Sequence, residues 1–579
     1  MKKIKSLIYI AIVGLTTTFV SCKDWLSLMP LNEVVLENFW TEKADVESVL
    51  LGAYATLETN DQVTRMSIWG EMRSDNIISN TSAPNDIIQI TKDNILETNS
   101  YMSWSGFYEC INRANTVLHF APIVAEKDPN YTPAELNAHI AEATAIRALA
   151  YWYLIRAYKD VPFVTEPSID DTQDFVVPAE KFEVILQQLI EDLEAVKRNA
   201  VNKYVLEEAN TSRFTRSGIE ALLADLYLWN GEWDKCIETV NSILERKMEE
   251  YKDLKENKGY TTYIDVDDIE LFFDRFPLIS NIDGQNWGKA YNQIFGAGYS
   301  FETLFELSYM PADGSTDLRF IREFYCNRTQ SSSNIGNLKA EPRTGAGFSQ
   351  GTNVVFESKY DGRYVQSVQE TSSDYAIVKY AASNVSYKLN TGEVKDLSYS
   401  WRGEKPSMTW IVYRLTDVML MKAEALTMKA KEMGSELAGD TLVARDALIE
   451  QAFVLVQAVN KRAKGYDVYG ASVDTIPYAA YKGNPLQMEE LVLKERRREF
   501  LFEGKRWFDL VRMARRDGNT ERLSQMVLLK YTENVSAVRI KLADMDAIYF
   551  PIAKDERKIN PLLKQNPAYE EEEFIQKAE

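Results

Sequence analysis

One serine of this sequence stands in a pattern that hydrolases use for their nucleophile. The segment 347–351, Gly-Phe-Ser-Gln-Gly, matches G-x-S-x-G, in which the serine lies on a turn between a strand and a helix and relies on a later histidine. The only two histidines, His119 and His139, both precede the motif, and its flanks are rich in glycine and threonine. We therefore predict a flexible loop here and no nucleophilic serine.

Paired carboxylates are the other catalytic possibility. A glycoside hydrolase needs two of them about 5–9.5 Å apart, and with 86 Asp and Glu residues the sequence leaves such a pair open. The segment Asp265-Val266-Asp267-Asp268 begins like a calcium loop, but its glycine and closing glutamate are not at the required spacing, which favours a solvated acidic turn. We expect no catalytic residue, no metal site and no cofactor.

Three cysteines lie beyond the N-terminal region. Cys110, Cys236 and Cys326 are odd in number and far apart, and no C-x-x-C pair occurs. This spacing supports neither a disulfide framework nor a zinc site. We predict that all three are buried and behave as small hydrophobic side chains.

The N-terminus has the features of an export signal. Lysines among the first five residues precede an apolar run at 7–20, which is too short to span a bilayer because a span needs ~20 residues. Residues 1–21 are therefore predicted to be a signal peptide. A cysteine directly after a small residue is typical of bacterial lipoproteins, so we predict that Cys22 is lipidated and anchors the mature chain. An ordinary signal peptide with an incidental cysteine is the alternative.

Composition narrows the class of protein and of partner. Lys and Arg total 66 against 86 Asp and Glu, so the formal net charge is −20. A chain this acidic repels nucleic acid, which we exclude as a partner. The 45% hydrophobic and 26% charged content is that of a folded globular protein, and 579 residues predict more than one structural unit.

The scaffold that positions these residues is predicted to be mainly helical. The segment Thr132-Pro133-Ala134-Glu135 is a capping box with proline at the first helical position, and the helix that it opens extends to about Tyr158. Ala141, Ala145 and Ala148 recur along one face of this helix. Small residues at that spacing let a second helix pack closely, so we expect helix pairs.

A second helix pair is predicted at 220–229 and 233–244, with Asn230-Gly231 as its turn. The pattern resembles the helix-turn-helix unit of tetratricopeptide (TPR) repeats. A third helical region is predicted to start at Ile411. The predicted divisions are a signal peptide at 1–21, a TPR-like helical region at 22–255, a variable, loop-rich ligand-binding region at 256–408, TPR-like helices at 409–516 and an irregular segment at 517–579.

The run Arg496-Arg497-Arg498 raises the possibility of a phosphate site. Acidic residues stand around it at helical spacings, including Glu495, Glu499 and Asp509. Opposite charges three or four residues apart pair along a helix. We therefore predict a salt-bridged helix and no anion site.

Several short motifs, spread in order over nearly the whole chain, resemble the SusD/RagB family of surface lipoproteins from Bacteroidetes. The N-terminal motifs are Cys22-Lys23-Asp24-Trp25-Leu26, Trp104 with Tyr108 and Ala114-Asn115, and Arg147-Ala148 through Asp160-Val161-Pro162. The later motifs are 301–306, Asp361-Gly362-Arg363, 495–500, 503–512 and 565–569. Each motif alone is modest, and their order and spread carry the resemblance.

The resemblance implies a TPR-like scaffold with a variable, loop-rich face and no covalent chemistry. Family members bind nutrients, mostly glycans, and cap a TonB-dependent outer-membrane transporter of the SusC type. The resemblance therefore implies a cell-surface lipoprotein of the outer membrane that delivers an oligosaccharide to such a transporter. A peptide-binding, RagB-like protein is the alternative within the family, and a surface glycoside hydrolase is the alternative outside it.

Five residues are candidates for ligand contact. Trp287 and Tyr291 lie in the variable region and offer flat rings for the C–H faces of sugars. Arg73, Asp75 and Asn76 lie at a family landmark, after which family members contact their ligands. The alternatives are that the two aromatic residues belong to the core and that Arg73 and Asp75 form a structural pair.

The stretch that follows this landmark supplies further polar candidates. They are Asn80, Gln89 and Tyr101. Because the residues that contact ligands vary within the family, the resemblance assigns no exact role to any of the three.

Overall fold

The computed structural model describes residues 39–169, 176–257, 263–283, 286–309, 320–329, 332–342, 355–358, 360–370, 374–390, 393–402, 408–434, 436–464 and 476–570. The predicted signal peptide, Cys22 and the G-x-S-x-G segment lie outside these residues. The three other cysteines lie within them and are buried, as predicted.

The first half of the chain forms helices that pack in antiparallel pairs. Their bounds are α1 Lys43–Leu57, α2 Asn60–Ser67, α3 Asn85–Thr91, α4 Ser105–Lys127, α5 Pro133–Tyr158, α6 Phe182–Val196, α7 Ala209–Ser212, α8 Arg216–Asn230 and α9 Trp233–Glu256. Helix α4 packs on α5 and helix α8 on α9. A π-helical turn, Ile68–Met72, directly continues α2.

Helix α5 is the central helix of this half. It begins at the predicted capping box, in which Thr132 accepts from the backbone N–H of Glu135 and Glu135 accepts from that of Thr132. Nearly every residue after Ala141 is buried, because α1, α4 and α6 cover it on different sides. The small alanines permit this crowding, so the predicted close helix packing is confirmed.

The α8–α9 pair confirms the predicted TPR-like unit. Helix α8 ends at Asn230, and Gly231 follows with a φ of 74°, a left-handed conformation that glycine adopts without steric cost. The predicted second helix ends near 244, whereas α9 continues to Glu256.

Short strands dominate the variable region. The strand bounds of the chain are β1 Ile77–Ser79, β2 Val161–Pro162, β3 Ala179–Glu180, β4 Ile269–Phe272, β5 Phe276–Ile279, β6 Ile282–Asp283, β7 Asn286–Trp287, β8 Thr303–Tyr309, β9 Cys326–Thr329, β10 Ser332–Ile335, β11 Leu338–Ala340, β12 Val368–Glu370, β13 Tyr375–Ile377, β14 Ala382–Asn390, β15 Glu393–Trp401 and β16 Met408–Arg414. Short helices α10 Lys289–Tyr291 and α11 Arg363–Ser367 lie among them.

The described strands form small antiparallel sheets, of which the largest has the order β15-β14-β7-β6. Strand β1 of the helical half pairs with β11, Ile77 facing Ala340. The prediction of a helix from Ile411 is wrong at its start, because that residue lies in β16 and pairs with Glu306 of β8. The helix begins only at Leu415.

The C-terminal helices complete the scaffold. Their bounds are α12 Leu415–Glu432, α13 Gly439–Lys464, α14 Pro485–Glu499, α15 Arg506–Asp517, α16 Glu521–Val527, α17 Val535–Lys541 and α18 Lys554–Ile559. Helices α12 and α13 form a third antiparallel pair. The final segment, predicted to be irregular, contains the last three of these helices, each shorter than eight residues.

The arginine run is salt-bridged, as predicted, but most partners lie outside its helix. Arg496 pairs with Asp417 at 3.0 Å and with Asp509 at 2.9 Å, and Asp509 belongs to α15. Arg498, by contrast, pairs with Glu495 of the same helix at 2.8 Å. The two ion pairs of Arg496 therefore connect different helices, and the spacing of charges along one helix does not reveal such pairs.

A buried network of ion pairs joins these helices to the strands. Its centre is Glu499, the last residue of α14, which is 3% exposed. The Glu499 carboxylate accepts hydrogen bonds from Arg363 at 2.9 Å, Arg414 at 2.7 Å and Arg462 at 2.5 Å. Burial alone would raise the pKa of Glu499, but the three guanidinium charges outweigh it and hold that pKa well below its usual value.

The neighbouring carboxylates extend this network. Glu503 accepts hydrogen bonds from Arg414 at 2.8 Å and from Lys379 at 2.5 Å. Glu495 accepts one from Arg363 at 2.8 Å. Since each charge would be costly to bury alone, the segments that carry these residues stabilise one another only when all are in place.

We expect Glu499→Gln to lower the free energy of unfolding by about 3 kcal/mol or more, because it leaves buried arginines without their counter-charge. Urea denaturation at pH 7 measures the loss. Glu490→Gln, an exposed position on the same helix, is the matched control and should change stability little.

The effect of Glu499→Gln should depend on pH. The Glu499 carboxylate has a lowered pKa in the folded state, so its contribution is complete above the unfolded value, about 4.3, and is lost on further acidification. The difference between the two proteins should therefore shrink below pH 4. A difference that stays constant down to pH 3 would contradict this account.

Candidate ligand-binding groove

An open groove of about 1000 Å³ lies between segments from opposite ends of the chain. One wall is formed by residues 78–94, from β1 to the end of α3, and the other by residues 529–541, which include α17. Glu341 and Pro342 also line the groove. We call this cavity the groove.

The lining of the groove is rich in groups that bind hydroxyls. The uncharged polar side chains are Ser79, Asn80, Thr81, Thr91, Asn94, Thr532 and Asn534. Three lysines and three acidic residues also line it, so their formal charges balance. Tyr531 is the aromatic residue of the lining and is partly exposed. Such a surface suits a neutral, polar ligand with some apolar faces.

Asp93 lines the groove and is paired with the buried Arg73. The Arg73 Nε donates to Asp93 Oδ1 at 2.9 Å, and its Nη atoms donate to the backbone carbonyls of Ala547 and Ile548 at 2.6 and 2.9 Å. The guanidinium also lies 4.3 Å above the ring of Trp507. Arg73 thereby joins the first wall to the C-terminal segment.

Two lysines of the second wall also donate hydrogen bonds to backbone carbonyls of the N-terminal part of the chain. Lys530 Nζ donates to the carbonyls of Met72, Arg73 and Ser74 at 2.8–3.2 Å. Lys541 Nζ donates to the carbonyl of Asp93 at 2.8 Å. Burial lowers the pKa of Lys530 to about 7, and the nearby carboxylates only partly oppose this shift.

Three of the five predicted ligand residues are buried and do not line the groove. Arg73, Asp75 and Asn76 are 1%, 4% and 0% exposed. Asp75 accepts hydrogen bonds from Arg506 at 2.8 and 3.0 Å and pairs with Arg497 at 3.0 Å. Arg73 and Asp75 are each held by an ion pair with another residue of the protein, and they do not pair with each other.

Asn76 is held in the same way. Its Nδ2 donates to Glu71 at 2.8 Å, and its Oδ1 accepts from Arg497 at 2.8 Å. Burial raises the pKa of Glu71 to about 7. These contacts leave Asn76 no open edge toward a ligand in this structure.

The two predicted aromatic platforms are also buried. Trp287 is 3% exposed in β7, and its ring stacks at 6.2 Å from that of Tyr387. Tyr291 is 2% exposed and donates its hydroxyl to the carbonyl of Ala382 at 2.9 Å. Neither lines the groove. The alternative interpretation, that both belong to the core, describes their positions in this structure.

Of the three further candidates, Asn80 lines the groove. Gln89 instead accepts a hydrogen bond from Asn99 at 3.2 Å, and Tyr101 packs edge-on against Phe324. The second wall, residues 529–541, contains none of the residues predicted to contact a ligand. The aromatic and polar residues of 531–534 are its only local signal, and nothing local places them beside residues 78–94.

No group of three or more His, Cys, Asp or Glu side chains within the described residues is arranged to hold a metal ion. Asp268 of the predicted solvated turn is buried and pairs with Lys289, which corrects that prediction for this residue. Across the described part of the chain, no helix is both long and apolar enough to cross a membrane.

The antiparallel helix pairs place this chain among TPR-like scaffold proteins. The open polar groove is a feature of its surface. Two family models match this chain. The SusD family matches residues 283–569, and a family described as starch-binding associating with outer membrane matches residues 24–228. The chain belongs to the SusD/RagB family.

Two SusD-like relatives match along most of their length. A SusD-like protein of Formosa agariphila is 23% identical over 528 residues, 88% of this chain and 92% of the relative. A SusD-like protein of Bacteroides ovatus is 24% identical over 506 residues, 85% of this chain and 80% of the relative.

Solved structures share the fold. A SusD superfamily protein of Bacteroides thetaiotaomicron has a TM-score of 0.63 at 17% identity, covering 92% of this chain and 99% of that chain. A laminarin binding SusD-like protein has a TM-score of 0.59 at 18% identity, covering 91% and 100%. The predicted mainly α, TPR-like fold class is confirmed.

Lys530→Met should change the pH dependence of stability. The unfolded chain holds the Lys530 proton up to about pH 10.4 and the folded chain only to about 7, so this group makes wild-type stability rise with pH between those values. The variant should lose that rise, on the order of a few kcal/mol by pH 10. Lys92→Met, an exposed lysine of the groove, should keep it. Parallel curves for wild type and Lys530→Met would contradict the assignment.

Proposed function

We propose that the groove binds an oligosaccharide at the cell surface and that the protein passes it to a SusC-like TonB-dependent transporter in the outer membrane. The observation that carries the proposal is the groove lining, in which hydroxyl and amide side chains surround one partly exposed tyrosine. Membership of the SusD/RagB family and the laminarin-binding neighbour support it.

The chemistry of sugars matches this lining. A sugar ring presents hydroxyls at its edges and apolar C–H groups on its faces. The Asn80, Asn94, Thr532 and Asn534 side chains can pair with the hydroxyls, and the Tyr531 ring can pack on a face. Balanced charges in the lining favour a neutral ligand, since an unpaired charge in either partner would lose hydration on binding.

The proposed role is non-catalytic. Capture requires only that the groove hold the ligand in a defined orientation, and Arg73, Lys530 and Lys541 join the segments that form its walls. A lipid on Cys22 would hold the acidic domain at the membrane, so that the captured ligand is released beside the transporter.

Tyr531→Ala should weaken oligosaccharide binding by roughly 1 kcal/mol or more, because it removes the stacking surface. Isothermal titration calorimetry against panels of oligosaccharides and peptides measures the change. Tyr481→Ala, a partly exposed tyrosine outside the groove, is the matched control. Saturable binding of peptides alone would replace the glycan by the peptide alternative, and release of sugar products would favour the hydrolase.

Cys22→Ala should release the protein from the membrane. A lipoprotein lacking its acylated cysteine has no anchor, so the variant should move from the membrane fraction to the soluble fraction after cell lysis. Retention of the variant in washed membranes would contradict the anchor. Cys110→Ala, a buried cysteine of α4, should leave membrane association unchanged.

A further inference from the structure

A second cleft, of about 710 Å³, opens on another part of the molecule. It lies between the C-terminal half of α9, the segment 202–217, which includes α7, and the segment 299–304, which leads into β8. None of its lining residues lines the groove. We call it the α9 cleft.

Like the groove, the α9 cleft is lined in part by uncharged hydroxyl and amide side chains. Hydroxyl groups come from two of its walls: Thr211, Thr215 and Ser217 on one and Ser300 and Thr303 on the other. Three asparagines add amide groups. Groups of this kind both donate and accept hydrogen bonds, as sugar hydroxyls do.

Two of the three cations that line the α9 cleft, Arg246 and Lys247, are paired within the protein. The third, the exposed Lys203, is outnumbered by four acidic residues of the lining. Lys247 donates to Glu250 and to the carbonyl of Phe301, each at 2.8 Å. Arg246 donates to Ser217 at 3.0 Å and pairs with Glu220. These contacts leave neither side chain to neutralise an anionic ligand.

An acceptor of the cleft remains unpaired. Glu207 lines the cleft, and its Oε1 is buried without a hydrogen-bond partner among the described residues. A buried carboxylate oxygen without a donor is costly. The rest of the Glu207 side chain is partly exposed, so a rotation of its carboxylate would present this oxygen to a ligand hydroxyl, whereas an anionic ligand would be repelled.

One end of the cleft is held in a strained geometry. Tyr299, which is 5% exposed, has a φ of 52°, a left-handed conformation that is uncommon for a bulky residue. Glu306 accepts from the Tyr299 N–H at 2.9 Å and from Thr211 Oγ1 at 2.7 Å, so one carboxylate fixes both cleft residues. The ring of Tyr263 packs at 5.0 Å from that of Tyr299. Such strain persists where surrounding contacts impose it, and it is frequent at binding sites.

We infer that the α9 cleft is a second binding site for a neutral oligosaccharide segment, separate from the groove. Hydroxyl and amide edges, the Glu207 carboxylate and the partly exposed apolar side chain of Leu254 match the edges and faces of a sugar. The inference rests on the proposed function in one respect, that both sites engage the same polymer. Two sites on one chain raise the affinity for a long polymer far more than for a short fragment.

Asp253→Trp tests the inference. Asp253 is an exposed cleft residue of α9, and the indole would fill the opening. Glu256→Trp removes the same charge from an exposed position of the same helix that does not line the cleft. Asn202→Trp blocks the cleft from the opposite wall, and Thr532→Trp blocks the groove.

The purified mature chain is titrated with laminarin, soluble starch, galactan, mannan and xylan, and with the hexasaccharide of each. Both cleft variants should bind the preferred polymer at least about tenfold more weakly than Glu256→Trp does, because one of the two sites is blocked. Their affinity for the hexasaccharide should be unchanged, because the groove still binds that fragment. Equal polymer affinity for the cleft variants and Glu256→Trp would overturn the inference.

The two proposals can fail separately. Unchanged hexasaccharide affinity in Thr532→Trp would overturn the groove as the main site but leave the cleft effect standing. A wild-type chain that binds no polymer or hexasaccharide of the panel contradicts both proposals. Thermal melts of every variant confirm that each retains the wild-type fold.

Discussion

The fold depends on a carboxylate shared by three buried arginines. Glu499 accepts hydrogen bonds from Arg363, Arg414 and Arg462, which belong to a short helix of the variable region, a strand and a long C-terminal helix. None of these charges could be buried alone, because desolvation costs several kcal/mol for each ion. The helical scaffold and the strand region therefore assemble as one unit, and the loop-rich face is presented from a rigid base.

Cationic side chains also hold the groove together, but there their hydrogen-bond acceptors are mainly backbone carbonyls and not carboxylates. Arg73, Lys530 and Lys541 extend across the boundary between the two ends of the chain and donate to carbonyls on the other side. Cationic donors supply strong hydrogen bonds to groups that would otherwise be buried without partners. A binding surface built in this way is formed before the ligand arrives, which reduces the ordering that binding must impose.

Local signals in the sequence predicted local structure well. The capping box at Thr132 and the glycine turn at Gly231 both determine where a helix begins or ends, and the structure confirms both. The start of the third helical region was predicted too early, since Ile411 belongs to a strand whose pairing partner, β8, lies far back in the chain. Strand pairing of this kind has no local signal.

The sequence by itself determined the family and the helix pairs, because these follow from short motifs and periodicity. Only the tertiary structure decided which polar and aromatic side chains face a ligand. Asp75 and Trp287 had the right chemistry for contact, yet both are buried, whereas Tyr531 lies in a segment predicted to be irregular and lines the groove. The physical reason is that burial depends on contacts between residues distant in the chain, and side-chain chemistry alone does not reveal whether its partner will be a ligand or the protein.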